Sequence, residues 1–341
     1  MKRTTRRGVL RLAAGAIVTV PAVSHATATS TSADWAFSYP MRLPGAAPGD
    51  GLVILHGYAC ENVPYYAGWW HTGENWHLEQ GETGGSPVFA VADGDVVFAG
   101  SNYPGLVVII RHADDLYSMY GHLDFDAVVA EGERLKRGQL LGHVLTRTDG
   151  RLSHLHFELR TFYISNEING DSPSYGVNCG YNCPPGPGYW PMIDPRHPSQ
   201  MGWRNPSSVI ANRAFAGGAI PAAAETVAPS SAGATASVWT LPKDQPGAER
   251  LDDLATHPGD RFQLLEIEGG DEASTATSAT GYDIWYRVAR SGSASGWVQA
   301  AIPSKRYTGT DGRPSTVRLR FVPSVPTAGQ FIARTMPNGA G

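Results

Sequence analysis

The chain has 341 residues, a formal net charge of −4 and 42% hydrophobic residues. At about 150 residues per domain, this length predicts two or more domains, and the negative charge argues against nucleic acid as a partner. Forty glycines and 25 prolines among short β-branched runs favour a turn-rich, all-β protein over a helical one.

The amino terminus predicts an export signal over residues 1–26. Five basic residues precede an uncharged apolar run, 12–20, that is shorter than the roughly 20 residues needed to span a bilayer. The pair Arg6-Arg7 is typical of a twin-arginine signal, and an ordinary secretory signal is the alternative. Removing the signal takes away five positive charges and no negative ones, so the formal charge moves from −4 to −9. The mature protein is expected in the cell envelope or outside the cell, with no transmembrane segment.

Residues 27–47 are rich in Thr, Ser, Ala and Pro and predict a short exposed leader. A strand is predicted at 52–55, and a second extended run follows at 69–77. Side chains on a strand alternate between its two faces. One face of the second run therefore carries His71, Gly73, Asn75 and His77.

Further strands are predicted in antiparallel order after that run. Turn residues and β-branched content indicate hairpins at 87–100 and 106–122, and glycines separate short strands at 128–142.

The most informative stretch is residues 153–160, which alternates polar and apolar side chains. Its alternation places one set of side chains in the core: Leu155, Phe157 and Leu159. The opposite face carries His154, His156 and Glu158. Two parallel imidazoles on a strand indicate a metal site, and an ordinary polar face is the alternative.

Beyond the first domain the composition changes. Residues 211–235 are dominated by Ala, Gly, Ser and Pro and predict a flexible linker. A second set of strand patterns covers 236–305, and the tail 306–341 has one alternating run and no predicted role.

The order of motifs over roughly residues 45–200 strongly resembles the lysostaphin-type, LytM-like zinc metallopeptidases. The motifs that carry the resemblance are His71-x-Gly73-x-Asn75, Gly85 to Ala90, Asp93-Gly94-Asp95-Val96, Ser118 to Leu123, Lys136 to Gln139 and His154-x-His156-x-Glu158. The resemblance implies a 48–210 domain built on an open antiparallel β-sheet groove that cuts peptidoglycan peptides with zinc. The 236–305 region resembles a small bacterial SH3-like barrel, which implies a wall-targeting or packing module.

The resemblance also implies a role for each matching position. His71 and His156 match metal ligands, and His122 and His154 match the histidines that move protons and stabilise the oxyanion. The family's third ligand is an aspartate, and this chain has Asn75 there. Either Asn75 or His77, on the same predicted face, is the third ligand of an active enzyme. The alternative is a metal-poor domain that binds peptidoglycan or activates another wall hydrolase.

The remaining histidines and the cysteines have simpler interpretations. His56 is predicted to end a strand, with a place in the groove as the alternative. Four histidines beside turns or prolines are predicted at the surface: His112, His143, His197 and His257. Cys179 and Cys183 favour a loop-closing disulfide, which leaves Cys60 as the odd thiol, although the sequence does not settle the pairing.

Overall fold

The computed structural model describes residues 37–62, 66–101, 105–112, 116–163, 188–191, 196–212, 225–229, 235–242, 245–255, 257, 260–272, 282–290, 292–301 and 319–321. The predicted export signal lies outside the described residues. Among those that are described, no helix is both long enough and apolar enough to cross a membrane.

The described chain is almost entirely strand. The elements up to residue 212 are β1 (Leu52–His56), β2 (Glu61–Asn62), β3 (Tyr66–His71), β4 (Glu74–Leu78), β5 (Pro87–Phe89), β6 (Gly94–Ser101), β7 (Leu106–Arg111), β8 (Tyr117–Leu123), β9 (Arg134–Leu135), β10 (Leu140–His143), β11 (Leu155–Arg160), β12 (Tyr189–Pro191), α1 (Pro198–Met201), β13 (Trp203–Arg204) and α2 (Pro206–Asn212). The later strands are β14 (Thr226–Pro229), β15 (Thr235–Trp239), β16 (Arg250–Ala255), β17 (Phe262–Glu272), β18 (Tyr282–Arg290), β19 (Ser293–Ala301) and β20 (Leu319–Phe321).

Antiparallel pairing organises these strands into four sheets. The main sheet has the order β1-β4-β11-β8-β7-β6-β9, with β13 beside β11. Two small sheets, β10-β5 and β12-β3-β2, flank it, and the carboxyl-terminal sheet has the order β16-β15-β19-β18-β17-β14-β20. The predicted all-β, antiparallel fold class is confirmed.

Strand β11 lies at the centre of the main sheet, between β4 and β8. Its apolar face buries Leu155, Phe157 and Leu159 in one core cluster, as the alternation predicts. The polar face is buried as well, since His156 and Glu158 are at most 1% exposed. A second layer therefore covers the face that carries the histidines.

The predicted exposed leader, 27–47, is wrong for its second half. Phe37 and Met41 are buried in the core cluster of the main sheet, and Met41 forms an isolated bridge with Val88. Two large apolar side chains in a Ser, Thr and Pro-rich segment are enough to fix it against the sheet. The folded domain therefore begins well before residue 48.

The predicted linker, 211–235, is also corrected in part. Thr226–Pro229 form β14, which pairs with β17 and β20. Val227 and Ala228 are buried. Small residues in this stretch resemble a linker by composition, but they fit the close-packed interior of the carboxyl-terminal sheet. The tail beyond residue 305 contributes β20 to the same sheet. The predicted SH3-like identity of this region stays a prediction.

His197 is fully buried where the carboxyl-terminal sheet packs against the first domain, so its predicted surface position is wrong. Its Nε2 lies 3.1 Å from the Tyr286 hydroxyl, and its ring stacks on Phe321 at 5.6 Å. Tyr58 and Trp70 of the first domain belong to the same aromatic cluster. The two parts of the chain therefore share one core cluster, which is separate from the core of the main sheet.

His112 is buried too, which corrects its predicted surface position. Its Nδ1 lies 2.8 Å from the carbonyl oxygen of Asp93, and its Nε2 lies 2.7 Å from Ser118 Oγ. The two other histidines of that group do lie at the surface. His143 pairs with Asp126, and the side chain of His257 is 74% exposed.

Two buried carboxyls flank α2, which connects the parts of the chain. Glu74 of β4 accepts hydrogen bonds from the Ser207 backbone N–H and hydroxyl, at 3.1 and 2.6 Å. Glu225 accepts a hydrogen bond of 3.0 Å from Asn205 Nδ2. Burial raises the pKa of Glu74 to about 8 and that of Glu225 to about 7.

These carboxyls are expected to make stability fall as pH rises. Each folded-state pKa lies above the ordinary value of 4.5. Their contribution is therefore fully present below pH 4.5 and is lost as pH rises to about 8. Glu74→Gln, which mimics the neutral carboxyl, is expected to flatten much of that slope in urea unfolding at pH 5 and pH 8 with a chelator present. An unchanged slope in the variant would contradict this origin.

Candidate active site

His71 and His156 meet on the covered face of the main sheet. His71 ends β3, and His156 lies in the middle of β11. His71 Nε2 is 3.0 Å from His156 Nδ1. Gly73, two residues after His71, lets the chain pass close to β11. A Cβ at this position would lie 2.5 Å from the carbonyl oxygen of Phe157.

In each ring, the outer nitrogen, which faces away from the other histidine, has a hydrogen-bond partner, and this partner indicates which nitrogen carries the proton. His71 Nδ1 is 3.0 Å from the carbonyl oxygen of Gly57, and this oxygen only accepts hydrogen bonds. His156 Nε2 is 3.1 Å from Glu158 Oε1. Both outer nitrogens are therefore the donors, and burial lowers the pKa of His71 well below its ordinary value, which keeps that ring neutral. With one proton on each outer nitrogen, the two facing nitrogens present lone pairs to each other, as imidazoles that bind a metal do.

Asn75 adds a third acceptor to this pair. Its Oδ1 lies 3.2 Å from His156 Nδ1. Asn75 is half-buried, whereas His71 and His156 are buried, so the amide lies at the open side of the cluster. Three acceptor atoms that converge in this way are suited to a cation, which accepts lone pairs from all of them.

A buried ionic network holds His156 from behind. Glu158 accepts hydrogen bonds from Thr72 Oγ1 at 2.6 Å and from Trp203 Nε1 at 3.0 Å. Arg160 Nη1 lies 3.5 Å from its Oε2. Burial alone would raise the pKa of Glu158, but the His156 hydrogen bond and the Arg160 charge outweigh it and lower the pKa to about 2. The ionised carboxylate orients the His156 ring.

His122 and His154 form a second group beside the first. Their ring centroids are 4.7 Å apart, and the His122 ring is 6.3 Å from that of His156. Both are half-buried and therefore reachable from solvent. His122 has a φ of 61°, in the left-handed region that non-glycine residues seldom adopt. Such backbone geometry concentrates at functional sites.

His77 belongs to this second group. Its ring centroid lies 5.3 Å from that of His154. Burial lowers the pKa of His77 to about 3 and that of His154 to about 4, so both rings are neutral at pH 7. The structure thus places His77 beside the predicted proton-moving histidines, and its role as a substitute metal ligand stays a prediction.

His56 also lies at the site, although the sequence offered a place in the groove only as the alternative to a strand end. Its ring centroid is 4.2 Å from that of His71. Burial, followed by the nearby His154 and His156, lowers its pKa to about 3. A β-bulge between Ile54 and His56 changes the face on which this side chain lies. Bulges of this kind leave little signal in one sequence.

Strand β12 closes one side of the site, and Tyr189 lies 5.6 Å from His71, measured between ring centroids. Residues 164–187, which include Cys179 and Cys183, lie outside the described residues. The predicted disulfide, with Cys60 as the odd thiol, therefore stays a prediction.

Zinc fits the donor atoms of the first group. Within the described part of the chain, no three His, Cys, Asp or Glu side chains are arranged as a metal site. The reason is visible at position 75, where an amide stands in place of a carboxylate. Two imidazole nitrogens and one amide oxygen are nonetheless a chemically suitable set for zinc, with a neutral third ligand.

Known proteins match this region of the chain. The sequence model of Peptidase family M23 matches residues 70–171. Lipoprotein NlpD of Yersinia enterocolitica is 41% identical over 78 residues, which are 22% of this chain and 78% of that protein. Murein hydrolase activator NlpD of Salmonella dublin is 34% identical over 152 residues, which are 43% of this chain and 36% of that protein. The chain therefore matches about a third of the length of that longer relative.

One solved structure is similar to part of the chain. The catalytic domain of lysostaphin from Staphylococcus simulans is 25% identical, with a TM-score of 0.28, and the match covers 33% of this chain and 82% of that one. The Yersinia relative is matched over more than two thirds of its length. The residues that the family model matches, 70–171, contain the motifs of both histidine groups. The chain belongs to peptidase family M23.

Proposed function

We propose that this protein is an exported zinc metalloendopeptidase that hydrolyses peptide bonds of bacterial cell-wall peptidoglycan. The observation that carries the proposal is the pair of facing lone pairs on His71 and His156, 3.0 Å apart and each fixed from behind. A cation between the two nitrogens would be bound by both of them. Asn75 Oδ1 points to the same place.

The residues of the chain divide the chemistry between them. His71 and His156, with Asn75 beside them, would hold zinc, which would supply an acidified water at neutral pH. His154 is neutral at pH 7 because burial lowers its pKa to about 4, so it is available to accept a proton. His122, whose ring centroid lies 4.7 Å from that of His154, would donate a hydrogen bond to the developing oxyanion.

The cell-wall substrate and the exported location rest on separate support. The printed names of two relatives are "Murein hydrolase activator NlpD" and "Outer membrane antigenic lipoprotein B". Both names are consistent with an envelope protein that acts on or near peptidoglycan. The basic, apolar start of the sequence agrees with export.

A second candidate function is activation of another wall hydrolase by a domain with little metal. Asn75 favours it, because an amide is a weaker zinc ligand than a carboxylate. The relatives named as murein hydrolase activators favour it too. In that function the groove would bind peptidoglycan or a partner hydrolase without cutting a peptide itself.

The two functions differ in what the purified chain releases from peptidoglycan. The peptidase is expected to create new amino termini by itself, and His122→Ala or His154→Ala is expected to lower that rate by about 10²- to 10⁴-fold. His143→Ala, at an exposed pair with Asp126, is the matched control and is expected to retain the rate. No new amino termini from the zinc-loaded chain, with faster cleavage by an added wall hydrolase, would favour the activator.

A further inference from the structure

The edge of the main sheet brings an unassigned histidine to the metal-binding group. In β1, Leu52 and Ile54 are buried in the core, and a regular strand would direct His56 toward that core as well. The bulge at Leu55, which is 39% exposed, shifts the register. A one-residue shift moves every following side chain to the opposite face of the sheet.

The shifted register puts His56 directly opposite Asn75. The two residues are Cα partners in the antiparallel pair of β1 and β4. Side chains of directly opposed residues share one face, with Cβ atoms about 4.5 to 5.5 Å apart. His56 therefore lies on the same face as the amide that occupies the usual aspartate position.

His56 also lies against the ring of a metal-binding histidine. Its ring centroid is 4.2 Å from that of His71, closer than the 4.9 Å between His71 and His156. The His56 Nε2 atom is buried and has no hydrogen-bond partner. An unsatisfied buried nitrogen costs about 1 to 3 kcal/mol, which a bound cation would offset.

We propose that His56 is the third protein ligand of the zinc ion and compensates for the carboxylate that is missing at position 75. This inference rests on the proposed zinc site and deepens it. Three imidazoles, from His56, His71 and His156, then hold the metal and leave a position open for water, an arrangement that zinc enzymes use. Asn75 stays beside the metal as a neutral neighbour.

Binding by His56 requires its side chain to turn toward the two facing nitrogens. In the structure the ring rests on His71 and does not complete a site of three histidines. Its Nε2 has no hydrogen bond to give up, so the turn breaks no polar contact of that atom. The Nε2 atom of this tilted ring is thus available to the metal.

The decisive experiment counts imidazoles around zinc in the intact wild-type chain by X-ray absorption at the zinc edge. Three imidazoles are expected. Two imidazoles would overturn the inference.

Variants give an independent measurement of zinc affinity by chelator competition. His56→Phe keeps an aromatic ring against His71 but cannot bind metal, and it is expected to lower affinity by more than about 100-fold. A loss of less than about 100-fold is what a residue outside the ligand set produces and would overturn the inference. His143→Phe is the matched control, and near-ultraviolet circular dichroism verifies that each variant is folded.

The same set of proteins separates this inference from the proposed function. Zinc that is lost in His71→Ala but retained in His56→Phe would leave the peptidase proposal in place and remove His56 from the ligands. A wild-type chain that takes up no zinc would overturn both.

Discussion

Glu158→Ala is expected to lower the free energy of unfolding by about 3 to 5 kcal/mol, because it leaves the fully buried Arg160 without its counter-charge. The substitution also removes the acceptor of Thr72 Oγ1 and Trp203 Nε1. Each buried donor left without a partner adds its own desolvation cost. Urea unfolding at pH 7 measures the change.

The same variant is expected to weaken zinc binding by about 10- to 100-fold, because the carboxylate that orients His156 is lost. Glu266→Ala is the matched control. It removes a shorter ion pair, 2.7 Å, with Arg287 at the surface of the carboxyl-terminal sheet. An exposed pair contributes at most about 1 kcal/mol, and this one is far from the metal-binding group. Equal losses in the two variants would contradict a special role for the buried network.

The Glu158 network also predicts the behaviour of the wild-type chain in acid. The pKa of the carboxyl is about 2 in the folded protein, below its ordinary value of 4.5. Its contribution to stability is therefore present above pH 4.5 and is lost as pH falls toward 2. Glu74 and Glu225 act in the opposite direction at higher pH. The buried histidines, whose folded-state pKa values lie well below 6.5, lose their contribution as pH falls below 6.5, so the chain is expected to be most stable near neutral pH.

Asn75→Asp is expected to raise zinc affinity about tenfold or more, which corresponds to about 1.4 kcal/mol of additional binding free energy. A carboxylate supplies the negative charge that the present site lacks, and Asn75 Oδ1 already lies 3.2 Å from His156 Nδ1. The half-buried position lets the new charge keep contact with water. Chelator competition on the purified variant measures the affinity.

Gln263→Glu is the control for net charge, because it makes the same change of charge on the exposed face of β17. It is expected to leave zinc affinity unchanged. If Asn75→Asp raises both the zinc affinity and the rate of peptide cleavage, the side chain at position 75 limits the activity of the wild-type enzyme. Unchanged affinity and unchanged cleavage in this variant would remove Asn75 from the site.

Much of the site could be predicted from the order of motifs, since alternation alone assigns faces. The pattern of 153–160 correctly predicts Leu155 in the core and His156 beside Glu158 on the other face. These features depend on local periodicity, which the sequence records directly. The predicted single run at 69–77 is instead two strands, β3 and β4, in different sheets, and His71 and Asn75 reach hydrogen-bond distance of His156 from separate strands.

The features that were missed depend on long-range packing. His197 follows an arginine and precedes a proline, which is typical of a surface turn. It is buried because Tyr286 and Phe321, which are distant in sequence, pack against it. Phe37 and Met41 are buried for the same reason. His56 depends on a bulge, which alters register without altering composition.

The central claim is that the facing nitrogens of His71 and His156 hold a zinc ion. The most direct test is the zinc content per chain of the mature protein, purified without added metal, beside a His156→Ala control. We expect close to one zinc per chain, and none in the control. Absence of zinc from the wild-type chain, even after incubation with the metal at neutral pH, would contradict the claim and leave the activator as the better account.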